Sequence, residues 1–215
     1  MNSKLEDKIS YLIENIPQLI KSFSYREGPD LYFYRRLMEL RKKSSLEVLF
    51  SDNYFFELLY ATLTAWDMNA RGAKMKYFDE FKENLIRNKA LFFKLEKYKL
   101  SQITIDQFSE IKNILNDLYD NLHLMKTGGR LVSNSKIMHF ILPDLIMPMD
   151  RQNTLNFFFG YTMESKNKFL SIFECSYLVT TKLDLNKLLD DSWNCSIPKI
   201  IDNSIICAQS PKYRK

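Results

Sequence analysis

Glycine and proline are scarce in this chain, and that scarcity restricts the available folds more than any other sequence feature. The 215 residues include five glycines and six prolines, the residue types that mark the turns between short strands. A sandwich or barrel needs many such turns, so the composition favours long helices. With 46% hydrophobic and 14% aromatic residues, the chain can also fill a substantial apolar core. We therefore predict a single all-α domain.

We divide this single domain into three consecutive segments. Residues 1–50 form an N-terminal helical extension, residues 51–165 form the core, and residues 166–215 form C-terminal helices and a tail. The core is built around one helix that is apolar on nearly all sides and begins at the N-cap Asp52. The predicted helices are 5–16 (ended by Pro17), 31–43, 54–66, 74–99, 104–122, 135–142, 152–159, 169–179 and 183–189, and the chain from Ser192 to the basic residues 212–215 is predicted to be irregular.

Charge and cysteine usage narrow the class of protein. The net charge of +5 permits a nucleic-acid partner without requiring one. No uncharged run reaches the roughly 18 residues of a membrane span, and the first residues do not resemble a signal peptide, so we expect a soluble, cytoplasmic protein without a membrane partner. The spacing of Cys175, Cys195 and Cys207 matches neither a disulfide framework nor a metal site. We therefore expect reduced thiols, no metal ion and no cofactor, and the oligomeric state stays open.

Residues that can carry chemistry are concentrated between residues 126 and 160. Two of the five glycines, Gly128 and Gly129, form a turn before a short helix that carries Lys136. A second helix begins at Asp150 and ends at Gly160, a residue suited to a C-terminal cap. The sequence thus places a lysine and an aspartate at neighbouring helix starts.

The order of these elements resembles the helix-hairpin-helix DNA glycosylase superfamily. That family has a core helix of the type L-x-A-x-[IL]-[LS]-x-Q-x-[TS]-[ND], then a glycine-containing hairpin, then V-P-V-D with a catalytic aspartate at a helix start. The resemblance covers residues 50–165, and residues 127–136 stand at the hairpin. The residues that fit the first element are Leu59, Ala61, Thr62, Leu63, Thr64 and Asn69, and those that fit the last are Pro148, Asp150 and Gly160.

This resemblance implies a two-lobed helical fold with an active cleft between the lobes, DNA as the partner and DNA repair by base excision as the function. It implies that Asp150 stabilises the sugar cation as the base departs. In the branch that includes the 8-oxoguanine glycosylases a lysine attacks the sugar C1′, and Lys136 is the matching residue. Burial would lower the pKa of that lysine, whereas a nearby Asp150 would raise it. His139, one turn after Lys136, is a candidate acid or base.

Further residues are candidates for contacts with DNA and for a base pocket. The N–H groups of a glycine turn can bind a phosphate, and a base that leaves the duplex needs a stacking pocket. The candidate DNA contacts are Gly128, Gly129, Arg130, Ser133, Asn134, Ser135 and Arg151, and the candidate pocket residues are Trp66, Tyr60 and Asn69.

The same residues also fit structural roles, so other functions stay open. These roles are a helix cap at Asp150, an ion pair of Lys136 with Asp144 or Asp150, a buried His139, an ion pair of Arg151, a core position for Trp66 and a plain turn at Gly128 and Gly129. The main alternative function is a non-catalytic helical module that binds nucleic acid or a protein. A small-molecule or nucleotide activity in the same cleft is a third possibility.

Residues 131–160 show a second resemblance, to a family of prokaryotic proteins for which we know no activity. The shared pattern is S-K-x-x-H-F-x-x-P-D-L-x-x-P-x-D-R-x-x-T-L-x-F-F-x-G, and it begins at Ser135. This resemblance implies a shared site and assigns it no reaction.

Overall fold

A computed structural model describes residues 3–70 and 72–210, and it confirms the all-α class. Over these residues there are eleven α-helices and no β-strand, and one isolated bridge pairs Met75 with Met125. The helices are α1 (Ser3–Ser22), α2 (Pro29–Lys43), α3 (Leu46–Leu49), α4 (Asn53–Ala65), α5 (Phe78–Arg87), α6 (Lys89–Leu95), α7 (Ile105–Asn121), α8 (Leu131–Ile141), α9 (Asn156–Phe159), α10 (Lys166–Lys182) and α11 (Ile197–Gln209). The predicted basic tail at residues 212–215 lies outside the described residues.

Helix α4 is the central helix, as its apolar pattern predicts. It packs against α2, α8 and α5, and Phe55 and Leu59 on it are fully buried. Its N-cap is Asp52, whose side chain accepts a hydrogen bond from the Tyr54 N–H at 2.9 Å. At its other end α4 is followed directly by Trp66, which is partly buried and packs against the hydrophobic core.

Helix α1 runs through Pro17, so the predicted interruption at this proline was wrong. Pro17 lies on the exposed side of the helix, whereas Leu12 and Ile16 on the other side are fully buried. Helix α1 packs against α10 and α11. This packing maintains the helix although proline removes one of its backbone hydrogen bonds.

Three other helix boundaries differ from the prediction. The stretch 74–99 is divided at Asn88, a buried residue whose side-chain amide donates to the Asn84 carbonyl at 2.8 Å. Helix α8 begins at Leu131 rather than at Ser135, and residues 183–189 contain a single 3₁₀ turn in place of a helix. The hydrogen bond of Asn88 is a contact that the apolar pattern does not encode.

The largest difference lies at the end of the chain, where α11 replaces the predicted irregular segment. Ser196 caps this helix by accepting from the Lys199 N–H at 3.4 Å, and Pro198 occupies the first turn. The helix is almost wholly buried and carries Lys199, Asp202 and Asn203 into the interior. These polar residues interrupt the apolar periodicity, which explains why the pattern failed to predict the helix.

Among the described residues, no disulfide bond joins Cys175, Cys195 or Cys207. Within the described part of the chain, the helices fall short of the length and apolarity that crossing a membrane requires.

Candidate functional site

A cavity of about 730 Å³ opens between the C-terminal end of α4, helices α8 and α11, and residues 148–153. Its volume is typical of sites that bind small organic molecules. Aromatic rings and charged side chains form its walls together. The charged and indole side chains of the lining include Trp66, Lys136, Asp150, Trp193, Lys199 and Asp202.

Lys136 enters the cavity from α8. Its Nζ donates to the carbonyl oxygen of Trp66 at 2.7 Å and lies 5.7 Å from the centroid of the Trp66 ring. Burial lowers the pKa of Lys136 to about 8, although the charge of Asp150 acts in the opposite direction. Among the described residues, Lys136 forms neither of the alternative ion pairs, with Asp144 or with Asp150; its partner is the Trp66 carbonyl, and Asp144 lies 3.9 Å from Lys99. Because the pKa of Lys136 is about 8, roughly a tenth of its side chains carry a neutral amine at pH 7.

Asp150 combines a helix cap with a position on the cavity wall. Its Oδ1 accepts from the Asn153 backbone N–H at 2.5 Å and its Oδ2 from the Asn153 side-chain amide at 2.8 Å. It thereby caps one π-helical turn, Arg151–Leu155, that continues into α9. Gly160 ends α9 at φ +72°, a left-handed conformation that favours glycine. The cap fixes the carboxylate of Asp150 in the cavity that Lys136 lines.

Helix α11 supplies a wall that the sequence analysis missed. The Nζ of Lys199 lies 2.5 Å from Asp202 Oδ2 and donates to Asn203 Oδ1 at 2.8 Å. The side chains of the ion pair are only 4% and 5% exposed, and burial raises the pKa of Asp202 while Lys199 opposes that shift. The spacing of these residues at i, i+3 and i+4 is the signal that would have predicted their shared helical face.

The aromatic residues that line the cavity are Phe23, Tyr25 and two indoles, Trp66 and Trp193. The ring centroids of Trp66 and Trp193 lie 6.1 Å apart at an interplanar angle of 45°. The Nζ of Lys199 lies 5.1 Å from the Trp66 ring centroid and 5.4 Å from that of Trp193, within the range of a cation–π contact. Trp66 thus lines the cavity, where the sequence analysis placed it, and its Nε1 donates to the Asp30 carbonyl at 3.2 Å.

Gly129 lines the cavity, and a carboxylate beside it binds Arg151, one of the predicted DNA contacts, together with the N–H of Leu131, which follows the predicted turn. Glu164 accepts from the Leu131 N–H at 2.7 Å and from Arg151 Nε at 2.5 Å. A Cβ on Gly129 would lie 2.9 Å from Arg151 Nη2 and 3.2 Å from the Glu164 carboxylate oxygens. A side chain at position 129 would therefore displace the end of the flexible, largely exposed Arg151 side chain and shift the Glu164 carboxylate by a few tenths of an ångström.

Most of the other predicted DNA contacts are turned inward. Ser133, Asn134 and Ser135 are buried, although Ser133 also contributes to the cavity wall. The Asn134 amide donates to two backbone carbonyl groups at the end of α7. Arg130 donates to the Asp120 carbonyl at 3.2 Å and keeps part of its side chain exposed. Helix α8 begins four residues earlier than predicted. These serine and asparagine residues therefore lie within the helix, and their side chains are buried.

Tyr60 and Asn69, predicted as pocket residues, do not belong to the cavity wall. The Tyr60 hydroxyl donates to the Lys76 carbonyl at 2.9 Å, and Asn69 accepts from the Met75 N–H at 3.4 Å. Tyr60 precedes Trp66 by six residues, which places the two side chains on different sides of the helical path. Of the three predicted pocket residues, Trp66 lines the cavity.

His139 is fully buried outside the cavity wall, contrary to the expected acid–base position. Its Nδ1 lies 2.7 Å from the Ile146 carbonyl and its Nε2 lies 2.7 Å from the Tyr34 hydroxyl. A carbonyl only accepts, so Nδ1 carries the proton and Nε2 accepts from the tyrosine. Burial lowers the pKa of His139 to about 3. The imidazole ring is therefore neutral, and both of its nitrogens are hydrogen-bonded. This agrees with the alternative in which His139 is a buried structural residue.

The buried His139 is expected to make the fold sensitive to mild acid. Its pKa is about 3 in the folded state and about 6.5 in the unfolded state, so the unfolded chain binds more protons below pH 6.5 and stability falls as the pH decreases. We expect the free energy of unfolding in urea to fall by about 2 kcal/mol between pH 7 and pH 5. The variant His139→Gln should lose this dependence, whereas the exposed control His123→Gln should keep it. An unchanged dependence in His139→Gln would contradict the assignment.

No protein-family model, curated protein or solved structure shows significant similarity to this chain. In residues 3–70 and 72–210, no group of three or more histidine, cysteine, aspartate or glutamate side chains is arranged to hold a metal ion.

Proposed function

We propose that this protein is a base-excision DNA glycosylase with lyase activity and that the cavity is its active site. The observation that carries the proposal is that Lys136 and Asp150 line one cavity with Gly129 at its rim. The same order of turn, lysine and aspartate underlies the sequence resemblance to the helix-hairpin-helix glycosylases. Trp66, on the wall of the cavity, supplies an aromatic face for a base extruded from the duplex.

In the proposed reaction Lys136 is the nucleophile. The lone pair of its neutral amine forms a bond to the sugar C1′ as the glycosidic bond breaks, and the base leaves with the bonding electrons and takes up a proton. With a pKa of about 8, the neutral fraction at pH 7 is roughly 300 times that of an ordinary lysine. The sugar ring then opens to an imine with the lysine, and elimination of the 3′ phosphate cleaves the strand.

Asp150 has the electrostatic role in this proposal. Positive charge develops on the sugar as the base departs, and a fixed carboxylate stabilises that charge. The two hydrogen bonds from Asn153 hold the carboxylate in place before the reaction. No reorganisation of Asp150 is then needed when the charge appears.

Borohydride trapping tests the proposal. Duplexes that carry an oxidised purine are incubated with the protein and borohydride, and the covalent adduct is measured on a denaturing gel. Because only the neutral amine attacks, we expect the trapping rate to rise about tenfold per pH unit below pH 8 and to level off above it. Asp150→Asn should lower the rate at least about 100-fold. If no lesion in a broad panel gives an adduct or a released base, the enzymatic proposal is wrong.

One contact favours a second function, a non-catalytic binding module on the same scaffold. Glu164 already occupies the Leu131 N–H and Arg151, so the rim has fewer groups available for a phosphate. A binding module would show DNA affinity that falls steeply with salt, that does not respond to Asp150→Asn, and that is accompanied by no borohydride adduct. DNA affinity is measured at two salt concentrations for the wild type and for Asp150→Asn. Together with the borohydride assay, these affinities separate the two functions.

A further inference from the structure

We propose that the cavity captures small aromatic aldehydes and that Lys136 holds them covalently as an imine. The ligands are free molecules rather than a DNA strand, so this inference goes beyond the proposed function and does not depend on it. Three features of the cavity support it: an accessible amine, the acceptor to which that amine is bonded, and the aromatic lining around it.

Lys136 is the cavity lysine that a ligand can reach. It lines the cavity, and part of its surface is accessible. Lys199, the second lysine of the wall, has a side chain that is only 4% exposed and is bonded to Asp202 and Asn203. The remaining basic residues of the described lining are arginines, whose guanidinium groups keep their proton and are not nucleophiles. An electrophile in the cavity therefore meets one available amine.

The hydrogen bond of Lys136 is one that a reacting amine can keep. Its Nζ donates to the carbonyl oxygen of Trp66 at 2.7 Å. A neutral amine donates one N–H to this carbonyl and retains its lone pair for attack, and a protonated imine has an N–H for the same acceptor. Burial lowers the pKa of Lys136 to about 8, which supplies the neutral amine, whereas the charges of Asp150 and Asp202 oppose that shift. The same two carboxylates stabilise the positive charge of a protonated imine.

The reaction needs only the amine, the aldehyde and a proton. The lone pair of Nζ forms a bond to the aldehyde carbon, and the π electrons of the C=O bond move to the oxygen. A proton passes from the nitrogen to that oxygen and gives a carbinolamine. Its hydroxyl group takes up a second proton and leaves as water, while the nitrogen lone pair forms the C=N bond. The products are the protonated imine and one water, and the reverse reaction releases the aldehyde.

The lining around Lys136 favours an aldehyde whose carbonyl group is attached to an aromatic ring. The Trp66 ring centroid lies 5.7 Å from Lys136 Nζ, and Phe23, Tyr25 and Trp193 add further aromatic side chains to the wall. A ring on the imine carbon is separated from Nζ by one carbon atom, so it is held beside the Trp66 indole, where aromatic rings attract each other. The volume of about 730 Å³ accommodates such a ring together with substituents. Flat aromatic aldehydes should therefore react in preference to saturated ones.

Two aldehydes that differ only in their ring test this inference on the wild-type protein. Benzaldehyde has a flat ring, and cyclohexanecarbaldehyde has a saturated ring of the same size. Each is incubated in limiting amount at pH 7 with the protein and cyanoborohydride, which reduces the imine to a stable amine. Trypsin does not cut after a labelled lysine, so a label on Lys136 appears in the peptide from Leu131 to Arg151, which is measured by mass spectrometry.

We expect benzaldehyde to label Lys136 at least about tenfold faster than the exposed Lys89 on α6, because a larger fraction of Lys136 is neutral. The preference for benzaldehyde over cyclohexanecarbaldehyde should be about threefold to tenfold greater at Lys136 than at Lys89. The comparison with Lys89 corrects for the different reactivities of the two aldehydes. A labelling rate at Lys136 no higher than at Lys89, or the same preference at both lysines, would each overturn the inference.

Two variants assign the reactive amine and the ring that selects the aldehyde. Lys136→Met should lose the rapidly added first label from the intact mass of the protein, whereas Lys89→Met should keep it. Trp66→Leu removes the indole, and it should lower the preference of Lys136 for benzaldehyde to that of Lys89. A rapid first label in Lys136→Met, or a full preference in folded Trp66→Leu, would overturn the inference. If Trp66→Leu does not fold, the wild-type comparison decides.

The outcomes also separate this inference from the proposed function. A preference of Lys136 for benzaldehyde in a protein that traps no lesion would support the aldehyde site and overturn the glycosylase. A borohydride adduct with DNA in a protein whose Lys136 shows no such preference would support the glycosylase and overturn the aldehyde site.

Discussion

Replacing Lys136 with methionine is expected to abolish the borohydride adduct and, at the same time, to stabilise the fold. Methionine has a similar length and no amine, so no bond to the sugar can form. In the wild type, burial lowers the pKa of this lysine from 10.5 to about 8, a shift equivalent to roughly 3 kcal/mol. Loss of the hydrogen bond to the Trp66 carbonyl cancels part of the gain. We expect the free energy of unfolding at pH 7 to rise by about 1–3 kcal/mol.

Urea unfolding across pH measures this effect. Because the folded pKa lies below the unfolded value, the unfolded wild-type chain binds more protons between pH 8 and pH 10.5, and the wild type gains stability as the pH rises through that window. The advantage of Lys136→Met should therefore shrink above pH 8. The control is Lys89→Met at an exposed position on α6, where we expect a change within about 0.5 kcal/mol. If Lys136→Met destabilises the protein, the lysine has a structural role instead.

The second large effect is expected at the ion pair of Lys199 and Asp202. Both side chains are almost fully buried, so the removal of one leaves the other as an uncompensated buried charge. We expect Asp202→Asn and Lys199→Met each to lower the free energy of unfolding by about 3–5 kcal/mol. The double variant leaves no unpaired charge, and it should recover part of that loss.

A double-mutant cycle followed by urea unfolding gives the coupling energy of the pair. The exposed ion pair of Glu83 and Arg87 on α5 supplies the control, because Glu83→Gln should change stability by less than about 1 kcal/mol. Additive losses in the double variant would show that the two charges are independent and would contradict the reading of α11 as a coupled polar wall.

The sequence predicted those elements of the fold that depend on local patterns. The cap at Asp52 and the capped turn at Asp150 each depend on residues within one helical turn. The central helix α4 was predicted from a segment that is apolar on nearly all sides. Gly160 ends α9, as predicted from the preference for glycine at helix C-termini. The expected proximity of Lys136 and Asp150 also appears in the structure, since both residues line one cavity.

The failures involve contacts between distant parts of the chain. His139 is bonded to Tyr34 across 105 positions of sequence, and Glu164 reaches Leu131 across 33 positions. Helix α11 was missed because Lys199 and Asp202 neutralise each other inside the fold, whereas a single sequence shows them only as polar residues that interrupt an apolar pattern. Such pairs become apparent only when the packing of the helices is known.

The packing of α1 against α11 has a consequence for synthesis of the protein on the ribosome. Translation proceeds from the N-terminus, so α1 emerges before α11, and Leu12, Ile16 and Leu19 then lack the cover that they have in the finished fold. Their partner α11 follows every other described helix, and a contact such as Ser22 with Cys207 spans 185 positions. The wall that carries Trp193 and Lys199 therefore closes late, and until then the nascent chain exposes an apolar stripe on which chaperones can act.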